Sequence, residues 1–316
     1  MEYLVTGGAG FIGSNTVRYL VGQKKKIRVL DDLSTGRIEN LDDCLGQIDF
    51  IEGDMRDAKT VARAMRGVRI VLHFGALPSV ARSVEDPLTS NQVNVCGTLR
   101  LLIASRDNGV ERFVFSSSSS VYGNSEVLPK REDMTPMPLS PYAVQKLTGE
   151  HYCRIFHSLY GLKTFVLRYF NVYGPRQNPK SQYSAVIPLF IDAIKEGKAP
   201  VIHGDGNQTR DFTFVEDIIR ANLCCCSASD DACGGVFNVA RCDRISINDL
   251  AARIMNLVGR KVVPLHDEPR SGDVRDSQGD STRAQKILGW KSESTFDEGL
   301  SKTVSFYLGK KPKGQG

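Results

Sequence analysis

Tyr142 and Lys146 stand four residues apart in a segment that opens with Ser140-Pro141 and keeps a helical pattern to about Tyr160, with Gly161 as its stop. That spacing predicts one shared helix face. An ammonium beside a phenol favours phenolate, so a tyrosine that normally titrates near ~10 can act as a base closer to neutral pH. A serine hydroxyl from the run Ser116–Ser120 would orient a substrate hydroxyl next to it. A second stretch, Tyr3 to Gly13 (YLVTGGAGFIG), points to phosphate. Gly7, Gly10 and Gly13 leave no Cβ where the backbone must turn, approach a pyrophosphate and pack helix on strand. The helix read over Ser14–Leu20 then offers N–H groups to phosphate charge. Asp31 comes 18 residues after Gly13. An acid there accepts both ribose hydroxyls of adenosine and repels a 2′-phosphate, which favours NAD over NADP. Asp54, after a third apolar segment, could reach the adenine amino group.

These residues need a scaffold that brings them together. Apolar segments at Tyr3–Val5, Ile27–Asp31, Phe50–Ile51, Ile70–Phe74, Phe113–Phe115 and Thr164–Leu167 alternate with helical patterns. The alternation predicts βαβ units, a parallel sheet and right-handed crossovers. Such sheets hold ligands beyond the carboxyl ends of their strands, where every unusual cluster of this half lies. Asp86-Pro87 reads as a helix start, Asp86 as N-cap and Pro87 in the first turn, on a helix that carries Asn94 and ends near Gly109. Asn94 is a candidate for a buried polar group fixing the loops above the cofactor. After Asn171 the character changes, with a Ser/Gln/Asn/Pro-rich stretch, a helix over about Ile187–Glu196, and the polar segment His266–Asp280.

The chain has 316 residues, 41% of them apolar, enough for two domain-sized lobes with a sizeable core. Its formal charge of +5 gathers largely in Lys24–Lys26 and in Lys310, Lys311 and Lys313, without interleaved aromatics, which argues against a nucleic-acid partner. None of the eight cysteines forms a CxxC pair, and Cys224–Cys226 read as small core residues of a reducing compartment, so no metal is expected. The N-terminus enters a strand almost at once, and no apolar run is long enough to span a bilayer. The expectation is a cytoplasmic protein without a membrane partner.

The motifs TGGAGFIGS, DDLSTG, HFGA, SSSSSVYG, SPYAVQK and LRYFNVYGPRQ follow one another in this order. Together they resemble the extended short-chain dehydrogenase/reductase family, and the UDP-sugar 4-epimerases within it, over essentially the whole chain. The resemblance implies a Rossmann-type doubly wound α/β sheet with a smaller C-terminal α/β substrate lobe. It assigns 1–171, with a returning segment near 211–240, to NAD binding, and 172–210 with 241–316 to the nucleotide sugar. It implies a catalytic trio of Ser118, Tyr142 and Lys146. Cofactor positions matched by the family are Gly7, Gly10, Phe11, Ile12, Asp31, Asp32, Asp54, Met55, Phe74, Ala76, Asn94, Ser116 and Tyr169, besides Tyr142 and Lys146. Substrate positions are Ser79, Ser118, Ser120, Tyr142, Asn171, Val186, His203, Arg210, Arg270, Asp273 and Ser277. Arg210 and Arg270 would clamp the diphosphate, since guanidinium groups bind phosphate in a fixed fork. A homodimer through paired helices is also implied.

Related 4,6-dehydratases carry an Asp-Glu pair directly after the catalytic serine or threonine, and the decarboxylases usually carry a glutamate at the second of those positions. Ser119 and Ser120 stand there in this chain and favour epimerisation. Ser277 stands where a bulky residue would exclude N-acetyl groups, and PSVARS (Pro78–Ser83) and GDVRDS resemble the N-acetylhexosamine epimerases. UDP-GlcNAc/UDP-GalNAc is therefore the first expected pair, with UDP-Glc/UDP-Gal also accepted. UDP-glucuronate is the alternative, with Arg82 as carboxylate partner. A non-catalytic NAD-binding regulator is the reading from another class.

Overall fold

Short apolar segments that would leave two greasy faces in water are forced into the middle of the molecule. In the computed structural model, which describes residues 1–179, 185–269 and 274–309, they form the central sheet. In chain order the strands are β1 (Tyr3–Thr6), β2 (Ile27–Asp31), β3 (Asp49–Glu52), β4 (Ile70–His73), β5 (Arg112–Ser118), β6 (Lys163–Tyr169) and β7 (Val172–Tyr173). They continue with β8 (Val201–His203), β9 (Thr209–Arg210), β10 (Thr213–Phe214), β11 (Val236–Val239), β12 (Ile245–Ser246) and β13 (Leu265–Asp267). The helices are α1 (Phe11–Gly22), α2 (Ala58–Met65), α3 (Val80–Glu85), α4 (Pro87–Asn91), α5 (Thr98–Asp107), α6 (Pro141–Tyr160) and α7 (Val186–Lys195). They end with α8 (Val215–Ser227), α9 (Ile247–Val258), α10 (Thr282–Leu288) and α11 (Phe296–Tyr307).

Seven parallel strands lie in the order β11-β6-β5-β4-β1-β2-β3. The order reverses between β1 and β4, and an open α/β sheet leaves its ligand crevice at such a point. Successive side chains feed two layers. Val5, Val29, Leu72, Val114 and Phe165 pack with α1 and α8 on one face. Leu4, Leu30, Val71, Phe113 and Phe115 pack with Leu101, Leu102, Cys153 and Phe156 on the other. A third core, with Tyr173, Phe190, Phe212, Phe214, Leu250 and Phe296, holds the smaller lobe together. Ala284, Leu288 and Trp290, which the sequence division put with that lobe, pack instead into the sheet's first core.

Three elements differ from their sequence reading. α1 begins at Phe11 rather than Ser14, because Gly10 in extended conformation already serves as N-cap. The helix read from Asp86 to Gly109 is broken into α4, a wider π-turn over Gln92–Gly97, and α5. The strand that runs into the serines extends through Ser118, pairing Ser116, Ser117 and Ser118 with Leu167, Arg168 and Tyr169. Asp86 and Ser140 cap their helices as expected, and Gly161 closes α6 in the left-handed conformation.

His73 ties the crevice walls from below. Its Nδ1 meets Thr6 Oγ1 at 2.7 Å and its Nε2 meets Thr98 Oγ1 at 2.9 Å. The Thr98 hydroxyl donates onward to the Asn94 carbonyl, so it accepts from His73, and the Thr6 hydroxyl donates to the imidazole. This assigns the neutral Nε2–H tautomer. Burial, and secondarily the Lys146 charge, push its pKa from 6.5 to about 3. The unfolded chain takes up this proton near pH 6.5, the folded chain only near pH 3. The contribution of neutral His73 is thus complete above pH 6.5 and is lost as pH falls. At pH 5 this one group costs about 2 kcal/mol. Urea unfolding at pH 7 and pH 5 checks it, with His73→Asn expected to lose less stability between the two pH values than the parent by about that amount.

Candidate functional site

The glycine loop is built by exclusion. A Cβ on Gly13 would lie 2.1 Å from the Gly7 carbonyl oxygen, and one on Gly7, at φ +66°, would lie 2.8 Å from Gly75 Cα. The loops after β1 and β4 therefore touch at bare backbone. α1 starts with no side-chain cap and no acid in its first turn, so its N–H groups face the crevice uncompensated. Asp31, 6% exposed, accepts from Ala9 N at 2.8 Å with one oxygen and from Leu33 N at 2.9 Å with the other. Each oxygen keeps a lone pair for a hydroxyl. Burial raises the Asp31 pKa against those hydrogen bonds. Gly7, Gly10, Phe11, Ile12 and Asp31 thus make one cradle, and it fits a dinucleotide pyrophosphate and ribose. Asp32 is exposed and holds Ser34. Asp54 is taken by Arg56, whose side chain and backbone N–H hold it below the usual carboxylate range, and Met55 is buried against Gly75 and Gly97.

Phe74, Gly75 and Ala76 carry the chain from β4 to a loop pinned by Asn94. Asn94 Oδ1 accepts from Leu77 N at 2.8 Å, and its Nδ2 donates to Gln145 Oε1 at 2.8 Å. Gln145, adjacent to Lys146, also accepts from Ser90. One buried amide therefore joins the loop after β4, the π-turn and α6. Ser79 caps α3, and the next turn's Ser83 accepts from the Tyr142 backbone N–H at 3.0 Å.

α6 delivers Tyr142 and Lys146 to the end of β5. Lys146 is 6% exposed; its Nζ donates to the Ser116 carbonyl at 2.7 Å and lies 5.8 Å from the centre of the Tyr142 ring. The Ser116 hydroxyl donates to the His73 carbonyl, and the Tyr169 hydroxyl is hydrogen-bonded to Asn222. Burial lowers the Lys146 pKa to about 8, with Glu150 opposing. Lys146 is the expected acidifying neighbour of Tyr142, together with the charge of a bound nicotinamide. Burial pushes the phenol up to about 12, and the opposing contribution is its hydrogen bond with Ser118. The ammonium points at a carbonyl rather than at the phenol oxygen. Ser118 also receives the Ser120 N–H, and Ser120 Oγ is buried without a partner, a polar atom aimed at nothing in the protein itself.

On the lobe side, Asn171 and Ser277 come together. Asn171 Nδ2 donates to Ser277 Oγ at 3.0 Å and to the Asp211 carbonyl at 3.1 Å. Ser277 Oγ also accepts from Asp211 N, so the expected size filter is at the same time a strut. Arg210 donates to the Thr209 and Arg275 carbonyls. His203 sits on β8 against the Glu268 carbonyl, and Val186 opens α7. Arg270 and Asp273 lie outside the described residues. Sequence reasoning missed Glu150, Arg168 and Ser117, a buried polar cluster beside the trio. The signal was present: Glu150 is the next residue on the helix face of Tyr142 and Lys146. Among the described residues no His/Cys/Asp/Glu group could hold a metal, and no helix is long and apolar enough to cross a membrane.

A model of the NAD dependent epimerase/dehydratase family matches residues 3–240. The UDP-glucose 4-epimerase of Mycolicibacterium smegmatis is 41% identical over 315 residues, covering 98% of this chain and 99% of that protein. Two solved structures superpose with a TM-score of 0.93 each. One is UDP-glucose 4-epimerase from Thermotoga maritima with UDP-glucose, at 37% identity, covering 98% of this chain and 99% of that one. The other is UDP-N-acetylglucosamine 4-epimerase from Methanobrevibacter ruminantium M1 in complex with UDP-N-acetylmuramic acid, at 39% identity and 98% of both chains. The chain belongs to the NAD dependent epimerase/dehydratase family. It is an NAD-dependent enzyme on a Rossmann-type fold.

Gly13→Ala would force its methyl into the Gly7 carbonyl. NAD affinity, read by isothermal titration, is expected to fall at least about tenfold, or ~1.4 kcal/mol.

Proposed function

We infer that the preferred substrates of this NAD-dependent UDP-sugar 4-epimerase are UDP-GlcNAc and UDP-GalNAc, with UDP-glucose and UDP-galactose also accepted. The observation that carries the reaction is the meeting of Ser118, Tyr142 and Lys146 at the end of β5, beside the glycine cradle. NAD, when bound, supplies the two-electron redox chemistry at the sugar C4 and a positive charge near the phenol. Tyr142 takes the C4 hydroxyl proton and returns it, and Ser118 holds the same hydroxyl in line. Lys146 anchors through the Ser116 carbonyl and adds charge to the buried site. Ser119 and Ser120 supply neither the acid nor the base that elimination of water requires, and the unpartnered Ser120 Oγ suits a sugar hydroxyl.

The small Ser277, the Ser79–Ser83 turn beneath Tyr142 and the resemblance of GDVRDS support the acetamido sugar. Pocket enlargement discriminates weakly, so the plain hexoses fit as well. UDP-glucuronate is the second reading. Arg82, half-buried on α3 next to Ser83, would face its carboxylate. Asp31, Gly7, Gly10 and α1 hold the adenosine half of the cofactor in this reading, and Asn171, Arg210 and Arg270 hold the sugar diphosphate. The enzyme acts as a homodimer through α5 and α6, whose Ile103, Ile155 and Leu159 leave apolar surface in water.

Incubation with each UDP-sugar and chromatography of the products tests the assignment. A C4 epimer of equal mass, without accumulating NADH, is expected, fastest from UDP-GlcNAc; a product of lower mass rejects epimerisation. Tyr142→Phe should lower kcat at least about a hundredfold and leave NAD bound. Ile155→Glu with Leu159→Glu should shift the light-scattering mass from dimer to monomer.

A further inference from the structure

Glu150 follows Lys146 by one helical turn on α6 and is 4% exposed. A buried carboxylate survives only with partners, and its partners here come from both strands that carry the site. One oxygen accepts from Ser117 Oγ on β5 and from Arg168 Nε on β6 at 2.9 Å; the other accepts from Arg168 Nη2 at 2.6 Å. Ser117 and Arg168 face each other in the sheet, one step from the Ser118–Tyr169 pair. The Arg168 guanidinium lies 4.7 Å from the centre of the Tyr122 ring, and Tyr122 in turn donates to Asn238 on β11. Glu150 thus clamps β5, β6 and α6 at the level of the reacting groups.

Its charge matters as much as its bonds. The groups around Lys146 are neutral His73 from β4, the Phe115 ring and Ser116 carbonyl from β5, and Tyr142, Glu150 and Cys153 from α6 itself. Arg168 of β6 adds a second buried cation on the far side of Glu150. Of these groups Glu150 is the carboxylate, paired through both oxygens with Arg168. Burial holds the Lys146 pKa at about 8 even with Glu150 opposing it. Without that carboxylate, the larger of the contributions that oppose desolvation at Lys146 would be gone.

We propose that Glu150 is a positioning residue for the reaction: its buried carboxylate fixes Ser117 and Arg168 beside Ser118 and stands one helical turn from Lys146 on the same face of α6. The proposal rests on the reading of Tyr142 and Lys146 as the reacting face.

The test is the pH profile of kcat for the NAD-loaded enzyme converting UDP-GlcNAc, or UDP-glucose if that is the faster substrate. Glu150→Gln keeps the shape and removes the charge. It is expected to lower kcat about tenfold with KM within about twofold, and to move the alkaline limb down by about one pH unit. Glu150→Asp, which restores the charge, should bring that limb back to within about a third of a unit of the parent. A Glu150→Gln profile with both limbs where the parent has them overturns the proposal, as does a Glu150→Asp profile displaced as far as that of Gln. If Glu150→Gln does not fold, the double variant Glu150→Met/Arg168→Met replaces the buried pair with apolar groups of similar size, a change folds commonly tolerate. Its alkaline limb should also move down, and an unmoved limb rejects the idea. Tyr142→Phe measured alongside separates the two readings: if it turns over normally, the reacting face is misassigned. If it is dead while Glu150→Gln matches the parent, only the role of Glu150 falls.

Discussion

The site depends on how closely one helix lies on one strand. Gly149 on α6 has no side chain, and a Cβ there would sit 2.4 Å from the Phe115 ring. That gap lets α6 settle onto β5 until the Lys146 ammonium reaches the Ser116 carbonyl and covers the Phe115 ring at 5.0 Å. Everything chemical is then a matter of residues one turn apart. Tyr142, Lys146 and Glu150 repeat every four residues along the buried face, so the separation of helix and strand sets where all three arrive. The Ser140 N-cap and the left-handed Gly161 fix where that helix begins and ends.

Burial is the second constraint, and it works against the chemistry. It raises the phenol of Tyr142 and lowers the ammonium of Lys146, so both groups are pushed toward their neutral forms. The protein offsets this with hydrogen bonds to Ser118 and the Ser116 carbonyl, and with a carboxylate one turn further on. His73 is the opposite case. It is kept neutral by burial, is held by two threonine hydroxyls and serves as a rigid pin between β1, β4 and α5.

Much of this was legible in the chain. The strands, the α6 boundaries and the glycine loop follow from local rules, because apolar runs, caps and missing Cβ atoms act within a few residues. The pairing of Tyr142 with Lys146 follows from helical periodicity alone. What could not be read locally was the fate of side chains whose partners are distant in sequence. Arg168 with Glu150, and Ser277 with Asn171, each required the tertiary fold to show whether a polar group was spent on the scaffold. The hydrogen bond of Lys146 to the Ser116 carbonyl is of the same kind: sequence shows that a lysine is near, and only the fold shows where its ammonium points. The π-turn at Gln92–Gly97 was hidden because its residues suit an ordinary helix equally well.

The last strand of the sheet, β11, and the Trp290 that closes one of its faces are both supplied by chain that comes after the smaller lobe has begun. During synthesis the nucleotide half therefore emerges first but waits with the edge of β6 unpaired. Until residues 236–239 leave the ribosome, the nascent chain presents an open row of backbone donors and acceptors along β6, one strand from Ser116–Ser118. A fragment that ended before residue 236 would therefore leave that edge of the sheet uncovered.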